Sequence, residues 1–295
     1  MWANRVFCFL SIALTILKKG TLALMTSPIG IRKDASMVPT YHKLSDELAE
    51  TWKALEGKQK WIAVAGGPGS GKSTLTAALV DMVNEKCRAE GAAKDVCICL
   101  PMDGFHYSRA ELRSIAERNP SITFEKLISR RGAPWTFDVE KLVASLKEAK
   151  EKGEGLLPTY SRQKSDPVWE PGVRLEKHHT IVLIEGNYLL NWDFSLGDSF
   201  EGQREGSSLQ DSKIWGQLKP LFDEKWFIRC ESLEKQRDRL IARHLETWTE
   251  EKTKLFGEGR SGGAAKKADT NDVLNANFVD KHAVFATREI ISIDQ

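Results

Sequence analysis

The stretch IAVAGGPGSGKSTL, Ile62–Leu75, constrains this chain more than any other. It opens with a short apolar, β-rich run, KWIAVAG, that reads as a buried strand ending in glycine. From Lys72 onward Leu75, Leu79, Met82 and Val83 recur at helical period, and Gly91 stops the helix. Between them Gly66, Gly71, Lys72 and Ser73 fit G-x-x-x-x-G-K-[ST], in the strand–loop–helix setting that the motif requires. Glycines let backbone N–H groups curl around an anion, and the helix that follows presents its positive end to phosphate. The expected phosphate cradle is Gly66, Gly67, Pro68, Gly69, Ser70, Gly71, Lys72, Ser73 and Thr74. Lys72 would reach the β- and γ-phosphates, and the Ser73 hydroxyl could ligate Mg²⁺. No guanine-reading N-K-x-D motif occurs, so the expected ligand is ATP with Mg²⁺.

The rest of the chain supports a fold of the same kind. DVCICLPMD, HTIVLIEG, EKWFIRC and REIISI read as further strands. HKLSDELAETWKAL, FDVEKLVASLKEAKEKG and SLEKQRDRLIARHLETW read as helices, the second capped by Asp138 and ended by Gly153. Strands alternating with helices predict a three-layer α/β/α fold with a mostly parallel sheet of about five strands. Ligands of such sheets bind at the carboxyl ends of the strands. Two segments break the alternation. Residues 193–212 read as a surface insertion, and residues 250–270, rich in Gly and charge, read as a mobile, lid-like loop.

Two carboxylates fall at expected strand ends. Asp103, in LPMDGFHYS, is placed to orient or deprotonate a hydroxyl near the γ-phosphate; a loop-capping aspartate is the alternative. Glu185 ends IVLIEG, apolar residues and then an acid, as a Mg²⁺-serving or substrate-positioning carboxylate does. No zinc spacing and no Ser-His-Asp set occurs.

The ordered set GGPGSGKST, MDGFHYS, RRGAPWTFD, YSRQKSDPV, IVLIEGNYLL, RLIARHL and NDVLNANFV resembles the phosphoribulokinase/uridine kinase family of P-loop kinases, and its core is similar to that of bacterial pantothenate kinases. The likeness runs from about Lys60 to Ile293. It implies a kinase domain over 41–295 that moves the γ-phosphoryl group of Mg-ATP to a hydroxyl of a small metabolite: a nucleoside, a sugar or sugar phosphate, or a pantothenate-like or glycerate-like acceptor. It implies Asp103 as base and a pocket shaped by His106, with Arg131, Trp135 and Asp138 on the acceptor side. Tyr160, Arg162 and Lys164 would meet the acceptor, Glu185 would serve Mg²⁺ or acceptor, and Arg239 and Arg243 would reach the transferring phosphoryl group. Arg239 and Arg243 are four residues apart and share a helix face, although a solvated charged helix would look the same. Trp135 and Trp169 could stack on a substrate ring or pack at a loop. Asn271 and Asn277 would flank the adenine, and Lys267 stands where the family pattern has an arginine. The competing reading is a P-loop ATPase or switch that couples hydrolysis to partner binding.

Composition fits a soluble globular chain: 295 residues, 41% hydrophobic, 28% charged and net charge +2, with no basic stripe for nucleic acid. Five cysteines without a CxxC pair read as reduced thiols, and the expected location is the cytoplasm. The apolar run Val6–Leu17 falls short of the ~20 residues that span a bilayer, and no membrane association is expected unless that run is a genuine anchor. Residues 1–40 are read as a disordered extension or a start placed upstream of Met25, in preference to a targeting signal. A homodimer is compatible with all of this. Lys72→Ala is expected to lose nucleotide binding; equilibrium titration with ATP checks it, and unchanged affinity would overturn the phosphate-loop assignment.

Overall fold

The computed structural model describes residues 36–193 and 213–293. The apolar run Val6–Leu17, the Met25 start and all of the expected insertion except Asp193 lie outside the described residues. Strand β1, Lys60–Ala65, shows why the centre of the fold is a sheet buried on both sides. Trp61, Ala63 and Ala65 enter one apolar cluster, Ile62 and Val64 the other, and all five are fully buried. The other strands are β2 (Cys97–Pro101), β3 (Gly155–Ser161), β4 (Asp166–Leu175), β5 (Ile181–Gly186), β6 (Glu224–Cys230) and β7 (Arg288–Ser292). Five of them form one sheet in the order β2-β5-β1-β6-β7, with every neighbouring pair parallel. All five expected strands are therefore present.

Helices close both faces. On one side lie α1 (Val38–Ala54) and α2 (Lys72–Ala89), which bury Leu44, Leu48, Leu75, Leu79 and Val83. The short helices α3 (Arg109–Arg118) and α4 (Phe124–Ser129) follow β2. On the opposite face α5 (Val139–Lys152) buries Leu142, Val143 and Leu146. Its ends are as expected: the Asp138 side chain accepts from Lys141 N at 3.0 Å, and Gly153 is left-handed at φ 70°. The layering is α/β/α.

Three features differ from expectation. Helix α1 starts at Val38, inside the segment read as extension; Pro39 suits a first turn, and Met37 and Thr40 are already buried. Second, β3 and β4 pair as an antiparallel hairpin outside the main sheet, in a segment with no expected strand. Pro158, Pro167 and Pro171 interrupt it, and burial does not alternate along either strand, so it carries no period-2 signal.

Third, residues 250–270 are helical. After α6 (Leu233–Glu246) come α7 (Glu250–Phe256), α8 (Gly259–Lys267), a π turn over Ala268–Asp272 and α9 (Val273–Asp280). Thr249 caps α7, accepting from Lys252 N at 3.3 Å. Gly257 and Gly259 take positive φ at the α7–α8 junction, whereas Gly263 is a packing device: a Cβ there would come within 2.6 Å of the Trp248 ring. Buried polar groups join these pieces. His244 Nε2 of α6 lies 2.7 Å from Asp272 Oδ2, and Lys267 Nζ of α8 lies 3.4 Å from the same nitrogen and 3.8 Å from that oxygen. Burial alone would raise the Asp272 carboxyl, but Lys267 and the His244 hydrogen bond overcome it and hold the acid below its ordinary value. Burial lowers both the Lys267 ammonium and the His244 imidazole. Asp272→Asn, which leaves Lys267 without its counter-charge, is expected to cost about 3 kcal/mol in urea unfolding, and a second change, Lys267→Met, to recover part of that loss.

Candidate active site

The site is assembled by strand pairing. Register places Val64 of β1 beside Glu185 of β5, and Glu185 beside Pro101 of β2. The phosphate loop after β1, the carboxylate ending β5 and Asp103, two residues past β2, therefore meet at one edge of the sheet. Ser73 Oγ donates to Glu185 Oε1 at 3.1 Å. Glu185 Oε2 is buried without a partner, and burial raises this carboxyl, against the pull of Lys72. Lys72 Nζ bends back and donates to Gly67 O at 2.9 Å. Burial brings the Lys72 ammonium down to about 8, with Glu185 and Asp103 opposing the shift.

Asp103 sits half-buried in a tight 3₁₀ turn, Met102–Phe105, and its charge acts on Lys72, Glu185 and Arg243. The hairpin holds this turn in place. A Cβ on Gly104 would fall 2.1 Å from the Pro158 carbonyl oxygen of β3, so only glycine permits the approach. His106 continues the turn. Its Nδ1 lies 2.9 Å from Asp103 O, its ring packs on Phe137 at 3.8 Å and near Tyr160 at 5.0 Å, and burial lowers its pKa.

Arg131 is 9% exposed and donates through Nη2 to Tyr107 O at 2.8 Å and Asp166 Oδ1 at 3.1 Å. Its guanidinium lies 5.6 Å from the Tyr160 ring centroid, while Nε and Nη1 are buried without partners. Burial also raises the Tyr160 hydroxyl. His106, Arg131 and Tyr160 thus form one cluster next to Asp103.

The basic residues converge on the phosphate loop. A cavity of about 320 Å³ is lined by Gly69, Gly71, Lys72, Ser73 and Thr74 together with Arg162, Arg239 and Arg243. Arg162 comes from the hairpin turn and the other two from α6. Helices α6 and α9 also touch the loop directly: Gln236 Nε2 donates to Pro68 O at 2.7 Å, and Ala276 of α9 abuts Gly67.

Several expected residues stand elsewhere. Lys164 is exposed on the hairpin turn, outside this cavity, because the turn directs Arg162 to the loop instead. Asn271 is buried and donates to Arg131 O at 2.9 Å, and Asn277 is exposed, so the pair does not flank a common ligand. Trp135 lies under the Arg130 guanidinium at 5.7 Å, whereas Asp138, which caps its helix, also lines a cavity beside His106. Trp169 borders a separate cavity of about 380 Å³ beside His106 and Phe105. Sequence reasoning missed Asp166, Gln236 and the group Met37, Tyr41, Ser292 and Ile293, which completes the lining of the phosphate-loop cavity. Nothing in the spacing of these residues announces them.

No family model matches the chain. A Schizosaccharomyces pombe protein named "Putative uridine kinase" is 32% identical over 262 residues, covering 87% of this chain and 92% of the relative. The chain belongs to the phosphoribulokinase/uridine kinase family of P-loop kinases. An "ATP-dependent kinase YFH7" of Eremothecium gossypii is 34% identical over 214 residues, 63% of this kinase and 54% of that one. The crystal structure of YFH7 from Saccharomyces cerevisiae superposes with a TM-score of 0.61 at 18% identity, covering 86% of this chain and 99% of that one, and so shares the fold. Among the described residues, no helix of this kinase is long and apolar enough to cross a membrane.

A pH dependence follows from the buried lysine. Below pH 8 Lys72 carries its charge, and above it the ammonium deprotonates. For the free kinase, kcat/KM for ATP is expected to fall as pH rises through about 8, and Lys72→Arg, whose guanidinium stays charged, to lack that limb. Steady-state kinetics between pH 6 and 10 check both.

Proposed function

We propose that this kinase transfers the γ-phosphoryl group of Mg-ATP to a hydroxyl of a small metabolite. One observation carries the reading: the phosphate loop, Glu185 and Asp103 stand at the ends of three neighbouring strands, with Arg162, Arg239 and Arg243 lining the same phosphate cavity. In this reading the loop amides and Lys72 hold the triphosphate. Three arginines neutralise the charge that spreads over the phosphoryl oxygens, a task suited to a planar fork that stays ionised. Asp103 orients the acceptor hydroxyl and takes its proton as the new P–O bond forms.

Ser73 Oγ and Glu185 fit a magnesium ion, since Glu185 Oε2 is buried and has no protein partner. When bound, that ion would offset the charge of the phosphates. The acceptor would rest on His106, Tyr160 and Arg131. The unmatched Nε and Nη1 of Arg131 support an acceptor rich in oxygen, such as a sugar, sugar phosphate or hydroxy acid. The name of the Schizosaccharomyces pombe relative supports a nucleoside.

The test is to incubate the kinase with ATP and pooled hydroxyl metabolites of these classes, with mass spectrometry for a product that gains one phosphate. Asp103→Asn runs alongside. A product whose formation drops roughly 10²–10⁴-fold in the variant supports the reading. ATP loss without any phosphorylated metabolite would replace it with the ATPase reading.

A further inference from the structure

Charge is distributed unevenly across the site. The phosphate cavity gathers Lys72, Arg162, Arg239 and Arg243, and among the described residues no carboxylate lines it. The cluster beside Asp103 is the reverse. Its guanidinium already has a counter-charge, since Arg131 Nη2 lies 3.1 Å from Asp166 Oδ1. Burial lowers the His106 imidazole and raises the Tyr160 hydroxyl, so both rings are uncharged at neutral pH, and the Asp166 charge reaches both with a smaller effect. The hairpin turn sends Arg162 to the phosphate cavity and leaves Lys164 exposed, so neither brings a cation to this cluster. The uncompensated charge on this side is the Asp103 carboxylate.

Asp166 is held in place for this task. It opens β4 opposite Ser161, at the turn end of the hairpin. Its Oδ1 accepts from Arg131 Nη2 and also from the backbone N–H of Arg109, the first residue of α3, at 2.8 Å. The Arg109 guanidinium is itself paired with Glu251 of α7. The Asp166 carboxylate engages a single nitrogen of Arg131. Tyr107 O takes the same nitrogen, so Nε and Nη1 remain as buried donors without protein partners. Two properties of the arginine are thereby separated: its charge is offset, while N–H groups stay open to a ligand oxygen. A hydroxyl or carbonyl oxygen satisfies such donors and adds no charge. A carboxylate or phosphate would bring a further negative charge beside Asp103 and Asp166, with no unpaired cation to offset its desolvation.

We propose that Asp166 sets the charge preference of the acceptor site: it cancels the Arg131 charge and leaves two of its nitrogens open, so that the site selects a neutral, hydroxyl-rich acceptor over one bearing a carboxylate or phosphate. Asp166 acts through Arg131 and is a positioning residue. This rests on the reading of His106, Arg131 and Tyr160 as the acceptor seat, and it narrows the classes for that seat to nucleosides and free sugars.

The full chain is incubated with Mg-ATP and, in separate reactions, with a neutral pool of nucleosides and free sugars or an anionic pool of hydroxy acids and sugar phosphates at matched concentration. Mass spectrometry measures product that gains one phosphate. The wild type is expected to form product at least about tenfold faster from the neutral pool. Asp166→Asn keeps a side-chain oxygen that can accept both hydrogen bonds and removes only the charge. It is expected to raise the anionic-to-neutral product ratio about tenfold, while KM for ATP changes less than about twofold. Asp166→Ser gives the same shift in ratio if the asparagine variant does not fold. A residue with a merely structural role would lower both products together. An unchanged ratio in a folded variant, or a wild type that prefers the anionic pool, would overturn the role of Asp166 and leave the kinase reading standing. No phosphorylated product from either pool would overturn the acceptor seat as well.

Discussion

β5 lies between β1 and β2 and is hydrogen-bonded in parallel register to both, and the site depends on that pairing. Parallel neighbours end on the same edge. A three-strand core in this order delivers an anion cradle, a buried acid and a turn-borne aspartate to one place, although they are far apart in sequence. A slip of one residue along β5 would send Glu185 to the opposite face of the sheet and separate it from Ser73. The β5 side chains alternate between two close-packed clusters, Val182 and Ile184 in one and Ile181 and Leu183 in the other, so such a slip would force both to repack.

What the sequence made legible is what local chemistry writes down. The glycine pattern, the apolar runs and the acids at their ends have short-range causes, so the sheet, the phosphate loop, Asp103 and Glu185 could be placed without coordinates. The charged helix of Arg239 and Arg243 was equally ambiguous as surface or site, and only its packing beside the loop decides it. The hairpin was invisible because prolines interrupt it and burial does not alternate along either strand. The helices at 250–270 were misread because a glycine that permits contact with an indole looks, in sequence, like one that permits a turn.

Tyr41 and Met37 illustrate the opposite limit. Their contribution depends on where a separate helix docks, and docking is set by Leu44, Leu48 and an ion pair to a strand more than two hundred residues later. No window of sequence contains that information. The same holds for Asp166, whose carboxylate fixes Arg131 from across the hairpin.

The buried meeting of His244, Asp272 and Lys267 has a mechanical meaning. Helices α6 and α8 and the π turn, each of which could bend at its own junction, share one charged knot that is largely withdrawn from water. They therefore travel as a single stiff plate, and any rotation is concentrated at the plate's rim. Gln236 and Ala276 pin that rim to the backbone of the phosphate loop. Reshaping the loop on one side of the pin would tilt the whole plate on the other, as a lever converts a small push near its fulcrum into a longer sweep at its tip.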